Sequence, residues 1–120
     1  MQITKLDFVS VPARDAERLS DFYADALGLR RDEHSRREVW AGDTCIAIWQ
    51  PDEHGIEFEP QRNGHLALHV EDVEAARKEL EAKGVEFLGE TLDTSVCHMA
   101  LFRDPDGNDL MLHRRYKPYA

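Results

Sequence analysis

The stretch His65-Leu-Ala-Leu-His-Val-Glu-Asp72 alternates apolar and polar side chains, ends in an aspartate and is followed by a helical pattern. The stretch Phe8-Val-Ser-Val-Pro-Ala-Arg-Asp15 has the same layout 57 positions earlier. Each copy then runs through a helix-length segment to a glycine, Gly28 or Gly84, with a spacing of 56 between the two glycines. The second helix is therefore one residue shorter than the first. A repeat of this length predicts one supersecondary unit that is used twice.

The composition is that of a globular protein with an acidic surface. The chain has 120 residues, of which 42% are hydrophobic, and a formal net charge of −9. This size predicts one domain, or two half-size modules that share a core. The charge argues against a nucleic-acid backbone or an anionic membrane as a partner. The sequence shows no signal-peptide pattern, and its two cysteines, Cys45 and Cys97, make no disulfide framework, so we expect a cytoplasmic protein with free thiols.

The first copy predicts a strand, a helix and a region of short strands over residues 29–50. Residues 3–12 read as a strand that ends at Pro12, and Asp15 stands where a helix N-cap is expected. The helix is predicted over roughly residues 15–27. Its apolar side chains recur at helical spacing, at Leu19, Phe22, Tyr23 and Ala26. Further strands are predicted over residues 38–41 and 44–49.

The second copy predicts the same order of elements. A strand at 65–70 precedes a helix that begins at Asp72 and ends at Gly84, and further strands are predicted at 85–88, 96–102 and 110–113. Residues 89–94 read as a connection, 104–108 as a tight turn and 114–120 as a polar tail. The prediction is one domain over residues 1–120, with modules 1–50 and 64–115 and a linker at 51–63. Each module has the order β-α-β-β-β.

Three signals in this frame carry a family resemblance. They are Asp15 with Phe22-Tyr23 and Leu27-Gly28-Leu29, then His65 with Asp72, and then Asp104-Pro-Asp-Gly-Asn108 before the last strand. Together they resemble the vicinal-oxygen-chelate superfamily, which includes glyoxalase I, bleomycin-resistance proteins and extradiol dioxygenases. The resemblance implies an α+β fold in which two β-α-β-β-β modules form an open cup-shaped mixed sheet with helices on the outside. It also implies a homodimer.

The same resemblance implies where a metal would be held. Enzymes of this family take ligands from the first and last strands of each module. The first-strand positions here are Phe8 and His65, and the last-strand positions are Met111 and either Cys45 or Ile46. Only His65 matches a ligand by type, whereas a catalytic divalent metal needs about three protein ligands. We therefore expect no metal cofactor; the alternative is zinc, nickel, iron or manganese in a rearranged site around His65.

Other histidines could supply metal ligands to such a site, but the arguments for them are weaker. His65 and His69 share one face of a strand but lie ~13 Å apart at the usual rise per residue. His98 or His113, on neighbouring strands, could pair with His65, or all four imidazoles could line a polar cavity. Cys97 and His98 could form a catalytic thiolate–imidazole pair, but they are adjacent in a strand, so their side chains point to opposite faces. Glu38 is a further candidate for a catalytic base, but no geometric argument favours it.

The sequence thus predicts a small-molecule-binding protein of the glyoxalase/bleomycin-resistance type whose partners are an organic ligand and a second copy of the chain. The alternative is a metal-dependent lyase, isomerase or dioxygenase with a site built on His65. A third interpretation is metal-free acid–base catalysis by His65 or His98. The expected cavity residues are Phe8, Trp40, Trp49, His65, His69, His98, Met111 and His113.

Overall fold

A computed structural model describes residues 1–118, so the last two residues of the predicted tail, Tyr119 and Ala120, lie outside the described part. The first module contains β1 (Val9–Pro12), α1 (Ala16–Asp21), β2 (Arg30–Arg31), β3 (Glu38–Ala41) and β4 (Thr44–Trp49). The second contains β5 (Leu66–His69), α2 (Val73–Ala82), β6 (Leu92–Asp93), β7 (Cys97–Arg103) and β8 (Asp109–Arg115). By its internal contacts the chain divides after Glu59, inside the predicted linker, and a short 3₁₀ helix over Pro51–His54 belongs to the first unit.

Each module folds into an open four-stranded mixed sheet. The strand orders are β1-β4-β3-β2 and β5-β8-β7-β6. In both sheets the first strand runs parallel to the last, and the other pairs are antiparallel. A parallel pair needs a crossover connection, which the helix after the first strand begins. The predicted α+β class with two β-α-β-β-β modules is confirmed.

One face of each sheet is covered by the helix of the same module. Helix α1 packs on β4, and α2 packs on β7 and β8. The side chains between helix and sheet are apolar and buried, and this burial is the main source of stability in each unit. They include Val11, Leu19, Tyr23, Val39, Ile46 and Ile48 in the first unit, and Val73, Leu80, Ala100, Phe102, Leu110 and Leu112 in the second.

Both predicted N-caps are confirmed. The Asp15 carboxylate accepts a hydrogen bond of 3.2 Å from the amide of Arg18. The Asp72 carboxylate accepts one of 3.0 Å from the amide of Ala75. Each bond satisfies an amide of the first helical turn that has no partner within the helix.

The one-residue difference between the two helices has a structural cause. Helix α1 continues as a π-helical turn over Phe22–Ala26, and the amide of Leu27 bonds the carbonyl of Phe22, five residues back, at 3.2 Å. A π turn accommodates one residue more than an α turn over the same rise. The extra residue thus lies in the first module, and both helical segments end at a glycine with positive φ, Gly28 at +72° and Gly84 at +93°.

The first predicted strand is shorter than expected. It begins at Val9 instead of residue 3, and Ile3 and Leu6 are 80% and 83% exposed. The reason is the register of its partner. Val9 pairs with Ile46, and β4 begins only two residues earlier, at Thr44. Residues upstream of position 7 therefore have no partner strand to extend along.

The second sheet departs from the prediction at both ends. Residues 85–88 form only an isolated bridge between Phe87 and Phe102, whereas residues 92–93 of the predicted connection pair with β7. Arg77 fixes this path, because its guanidinium lies 4.9 Å from the centre of the Phe87 ring and donates to the Gly89 carbonyl at 2.8 Å. The last strand runs to Arg115, so the first two residues of the predicted tail belong to the sheet. None of the helices within residues 1–118 combines the length and apolar character needed to span a membrane.

Candidate functional site

The open face of the first sheet, which points away from α1, carries the predicted aromatic residues. Trp40 and Cys45 are register partners across β3 and β4, and Trp49 lies four residues after Cys45 on β4. Alternate residues of a strand share a face, so these three side chains lie on the same side. Phe8 directly precedes β1, is 54% exposed and falls on this side by the same alternation. The structure therefore brings Phe8, Trp40 and Trp49 to one sheet face.

The indole of Trp40 is held in place before any ligand binds. Its Nε1 donates a hydrogen bond of 2.9 Å to the Asp32 carboxylate. That carboxylate also accepts from the amides of His34 and Ser35 at 2.9 and 3.0 Å. The bond from Trp40, followed by that from His34, lowers the pKa of Asp32 below its ordinary value. The guanidinium carbon of Arg30 lies 5.4 Å from the centre of the Trp40 ring, within cation–π range.

A thiol–carboxylate pair lies beside Trp40 on the same face. The buried Cys45 thiol donates to the Glu38 carboxylate at 3.3 Å. Burial, together with the bond to Glu38 and its negative charge, raises the pKa of Cys45 to about 11. The thiol is therefore protonated at neutral pH, which makes it a hydrogen-bond donor to Glu38 and a poor nucleophile.

The open face of the second sheet carries histidine and methionine side chains. His69 and His113 are register partners across β5 and β8, and Met111 lies two residues before His113. The His69 side chain is 64% exposed and its Nε2 lies 2.9 Å from the Glu71 carboxylate. These positions are flanked by apolar side chains of the same face, which are Ala67, Met99 and Leu101.

His65 lies beside a buried carboxylate and has no other histidine next to it among the predicted cavity residues. It directly precedes β5, and its Nε2 lies 3.9 Å from Oδ2 of Asp109, the first residue of β8. Burial disfavours ionisation of Asp109, but the Asn63 amide at 2.8 Å and the Arg103 guanidinium at 2.9 Å donate to it. These bonds outweigh burial and lower the pKa of Asp109 below its ordinary value. The His65 imidazole therefore lies next to a carboxylate whose position is fixed by hydrogen bonds.

The tight turn before β8 holds this part of the second unit together. Asp104 and Asn108 are buried, and the Asn108 amide group donates to the Asp104 carboxylate at 2.8 Å. The Asn108 side-chain oxygen accepts from the amide of Gln61 at 2.7 Å, which ties the segment before β5 to the turn. The Asp-Pro-Asp-Gly-Asn signal is thus a structural element that positions Asp109.

His98 lies on the other side of the sheet. Its register partner is Arg114, on the face that α2 covers, whereas His113 pairs with Met99 on the open face. His98 lines a groove of about 550 Å³ at the start of α2, with acidic neighbours that already have partners: Glu71 binds Arg114 at 2.6 Å and Asp93 binds Tyr116 at 2.7 Å. Neither His98 nor His113 is beside His65, so the structure does not form the pairs considered from sequence.

A protein-family comparison matches residues 5–112 to the Glyoxalase/Bleomycin resistance protein/Dioxygenase superfamily. The match spans both sheets and both helices. The chain belongs to this superfamily. Family membership establishes the fold, but function depends on the residues of the individual site.

Solved structures of superfamily proteins resemble this chain over nearly its whole length. The antibiotic-binding protein TnmS3 from Streptomyces sp. CB03234 is similar at 28% identity and a TM-score of 0.71, covering 96% of this chain and 98% of its own. A superfamily member from Sphaerobacter thermophilus DSM 20745 has a TM-score of 0.77 at 24% identity, covering 92% and 97%. A lactoylglutathione lyase from Agrobacterium tumefaciens has a TM-score of 0.73 at 16% identity, covering 94% and 95%. The latter two likenesses show the fold alone.

The register corrects one of the four positions at which superfamily enzymes place metal ligands. Met111 pairs with Ala67, which lies two residues after His65. In the first module, the residue two positions after Phe8 is Ser10, and it pairs with Ala47. The counterpart of Met111 is therefore Ala47, and the expectation of Cys45 or Ile46 is wrong, because the strand is offset by one or two residues.

With this correction, the four positions hold Phe8, Ala47, His65 and Met111. Phenyl and methyl groups donate no electron pair to a cation, and a thioether is a weak ligand for hard divalent metals. Within residues 1–118, no group of three or more His, Cys, Asp or Glu side chains is arranged to hold a metal ion. The residues present do not fit the superfamily's usual metal.

Three residues of these faces were missed or left without an argument at the level of sequence. Asp109 follows the turn and carries no motif, and its relation to His65 depends on the pairing of β5 with β8. Ala47 and Glu38 are neighbours only through the pairing of β3 with β4. The alternation of β4 could have placed Ala47 and Trp49 on one face, but it gives no information on which residue of β3 lies beside them.

Proposed function

We propose that this superfamily member binds a small organic molecule on its open sheet faces and does so without the family's usual catalytic metal. The observation that carries the proposal is the residue content of the four ligand positions. Phe8, Ala47 and Met111 replace coordinating groups with apolar ones, which leaves His65 as the one coordinating side chain among them. A metal bound by a single imidazole would lack the remaining protein ligands that a catalytic site requires.

The first sheet supplies the contact surface expected of such a site. Binding surfaces for organic ligands are mostly apolar and aromatic with few polar groups. Phe8, Trp40 and Trp49 share the open face with the Glu38 carboxylate, and Trp40 is fixed by Asp32. The similarity at 28% identity to an antibiotic-binding protein supports binding as the activity.

We also propose a homodimer located in the cytoplasm. The exposed Ile3 and Leu6 precede the edge strand β1 and give it an apolar extension that a second copy could cover. The formal charge of −9 supports the expectation that nucleic acid and anionic membranes are not partners. Light scattering of the purified protein tests the dimer, and a Leu6→Lys variant that shifts it to a monomer would place the contact at this segment.

Metal analysis tests the metal-free part of the proposal. The protein is purified without added metal, incubated with zinc, nickel, iron(II) or manganese, and desalted before elemental analysis. We expect the same substoichiometric content for the wild type and for a His65→Ala variant. A stoichiometric metal that is lost in His65→Ala would contradict the proposal and favour a lyase, isomerase or dioxygenase.

Tryptophan fluorescence tests ligand binding, since both tryptophans of the chain lie on the open face of the first sheet. Planar aromatic compounds are titrated against the wild type and against Trp40→Phe and Trp49→Phe. Binding on this face predicts saturable quenching whose amplitude falls in each variant. The absence of saturable quenching by every compound would contradict binding at this face.

His65 beside Asp109 favours metal-free acid–base catalysis as a second candidate function. The His65 imidazole would accept or donate the proton, and the buried Asp109 carboxylate lies 3.9 Å from its Nε2. Turnover of a bound compound that persists in the presence of a chelator and disappears in His65→Gln would establish this catalytic activity. Unchanged turnover in His65→Gln would exclude this role.

A further inference from the structure

A small side chain, Ala47, lies in the middle of the open face of the first sheet, and the space above its methyl group is called the depression. Ala47 pairs with Ser10 of β1 on one side and with Glu38 of β3 on the other. Along β4, its neighbours on the same face are Cys45 and Trp49. Because adjacent strands are about 4.8 Å apart, Ser10 and Glu38 stand roughly 10 Å from each other across a single methyl group. This gap is about as wide as one aromatic ring system.

The walls of the depression are aromatic on two sides. Trp49 is the next residue of this face after Ala47 on β4, and Trp40 is the next after Glu38 on β3, so both tryptophan positions border that of Ala47. The Trp49 ring also lies 6.3 Å from the His54 ring. The hydrogen bond from Trp40 to Asp32 limits rotation of one indole. A flat ring placed over Ala47 would contact both walls without first having to order Trp40.

The polar wall is a carboxylate that lacks a cation. Glu17 and Glu53 of the same unit both bind Arg37, at 3.2 and 2.5 Å. Within residues 1–118, by contrast, no basic side chain pairs with Glu38, and its hydrogen-bond donor is the Cys45 thiol. A neutral donor orients the carboxylate without neutralising it.

Charged side chains of both signs lie near Glu38, because Asp32, Arg31 and Arg36 line one groove together with it. The charges of Glu38 and Asp32 both act on the neighbouring Cys45 thiol and disfavour its anion. Arg30 on the same face already places a guanidinium against the Trp40 ring. A ligand cation near Glu38 would meet a carboxylate whose hydrogen-bond donor is the neutral Cys45 thiol.

We propose that Glu38 and Ala47 make this face selective for a ligand in which a protonated amine is attached to a flat aromatic ring system. The ring lies over Ala47 between Trp40 and Trp49, and the ammonium group binds the Glu38 carboxylate. Cys45 is a positioning residue that orients Glu38. This inference rests on the proposed function and adds the chemical class of the ligand.

The test uses two probes of nearly equal size. 9-(Aminomethyl)anthracene carries an ammonium group at pH 7, whereas 9-(hydroxymethyl)anthracene is neutral, and both report binding by their own fluorescence. The wild type is expected to bind the cation about tenfold or more tightly than the neutral ring, as a charge-assisted hydrogen bond predicts. Glu38→Gln is expected to remove this preference by weakening binding of the cation, and Ala47→Leu is expected to weaken binding of both probes by filling the depression.

The matched control is Asp43→Asn, which removes one negative charge in the exposed turn between β3 and β4. It is expected to keep the preference for the cation. An equal loss in Asp43→Asn and Glu38→Gln would mean that only the net charge attracts the probe, and this would overturn the inference. Equal affinities of the wild type for both probes would also overturn it while leaving the proposed function intact. Failure of both probes to bind the wild type would overturn the inference, and the quenching experiment with unrelated aromatic compounds then decides the proposed function separately.

Discussion

The His65 imidazole lies 3.9 Å from the Asp109 carboxylate, and Asp109 is 4% exposed. The two residues are 44 positions apart and meet because β5 and β8 run parallel side by side. The carboxylate is also fixed by the Asn63 amide and the Arg103 guanidinium. Asp109 therefore has a structural role in the second sheet in addition to its position beside His65.

We expect Asp109→Asn to lower the free energy of unfolding by about 1–3 kcal/mol at pH 7, because it weakens hydrogen bonds to a buried carboxylate. The pKa of Asp109 in the folded protein is below its ordinary value of 3.8, so its ionisation stabilises the folded state above that pH. This contribution is lost as the pH falls from 3.8 through the folded-state pKa. Urea unfolding at several pH values should show the gap between wild type and variant narrowing below pH 3.8. A difference that widens in acid would contradict this assignment. The control is the exposed Asp43→Asn, whose free energy of unfolding should differ very little from that of the wild type at any of these pH values.

We expect the Cys45 thiol to react slowly in the folded protein. A shift of its pKa from 9.0 to about 11 reduces the thiolate fraction at pH 8 about 100-fold. In a Cys97→Ala background, Ellman's reagent should therefore label folded protein at least about 100-fold more slowly than urea-unfolded protein. Glu38→Gln removes one cause of the shift and should accelerate labelling of the folded state. Identical folded-state rates with Glu and Gln at position 38 would show that burial alone protects the thiol.

We expect Asp72→Ala to destabilise the second unit by about 1 kcal/mol, because it removes the cap of α2. The carboxylate accepts from the Ala75 amide at 3.0 Å, and asparagine can accept the same bond. Asp72→Asn is therefore the matched control and should retain most of the stability in urea unfolding. If Asp72→Asn and Asp72→Ala lower the free energy of unfolding by the same amount, Asp72 stabilises the unit by its charge and not by capping α2.

The local pattern was sufficient for the elements that depend on neighbours in sequence. Asp15 and Asp72 were placed as caps, and helix α2 was placed from its apolar spacing, because a helix is held by bonds between residues three to five positions apart. The strands at 38–41 and 44–49 were also placed correctly, since a turn at Gly42-Asp43 separates two alternating runs. The family signals gave the class of fold for the same reason: each is a short motif with a local physical role.

The extent of the strands and the neighbours of each site residue depended on pairing across the sheet. The sequence gives Ile3 and Leu6 an apolar strand pattern, yet β4 is too short to pair with them. The position of Ala47, and with it the correction of the fourth ligand position, follows from a register that strand alternation leaves undetermined by one or two residues.

The sequence by itself determined the two β-α-β-β-β modules, their capped helices and the apolar or polar character of each strand position. Only the tertiary structure decided that Glu38 flanks Ala47, that Asp109 flanks His65, and that His98 lies on the helix-covered side of its sheet. The physical reason is that side-chain alternation is fixed by the geometry of one strand, whereas lateral contacts are fixed by hydrogen bonds between strands that are distant in sequence.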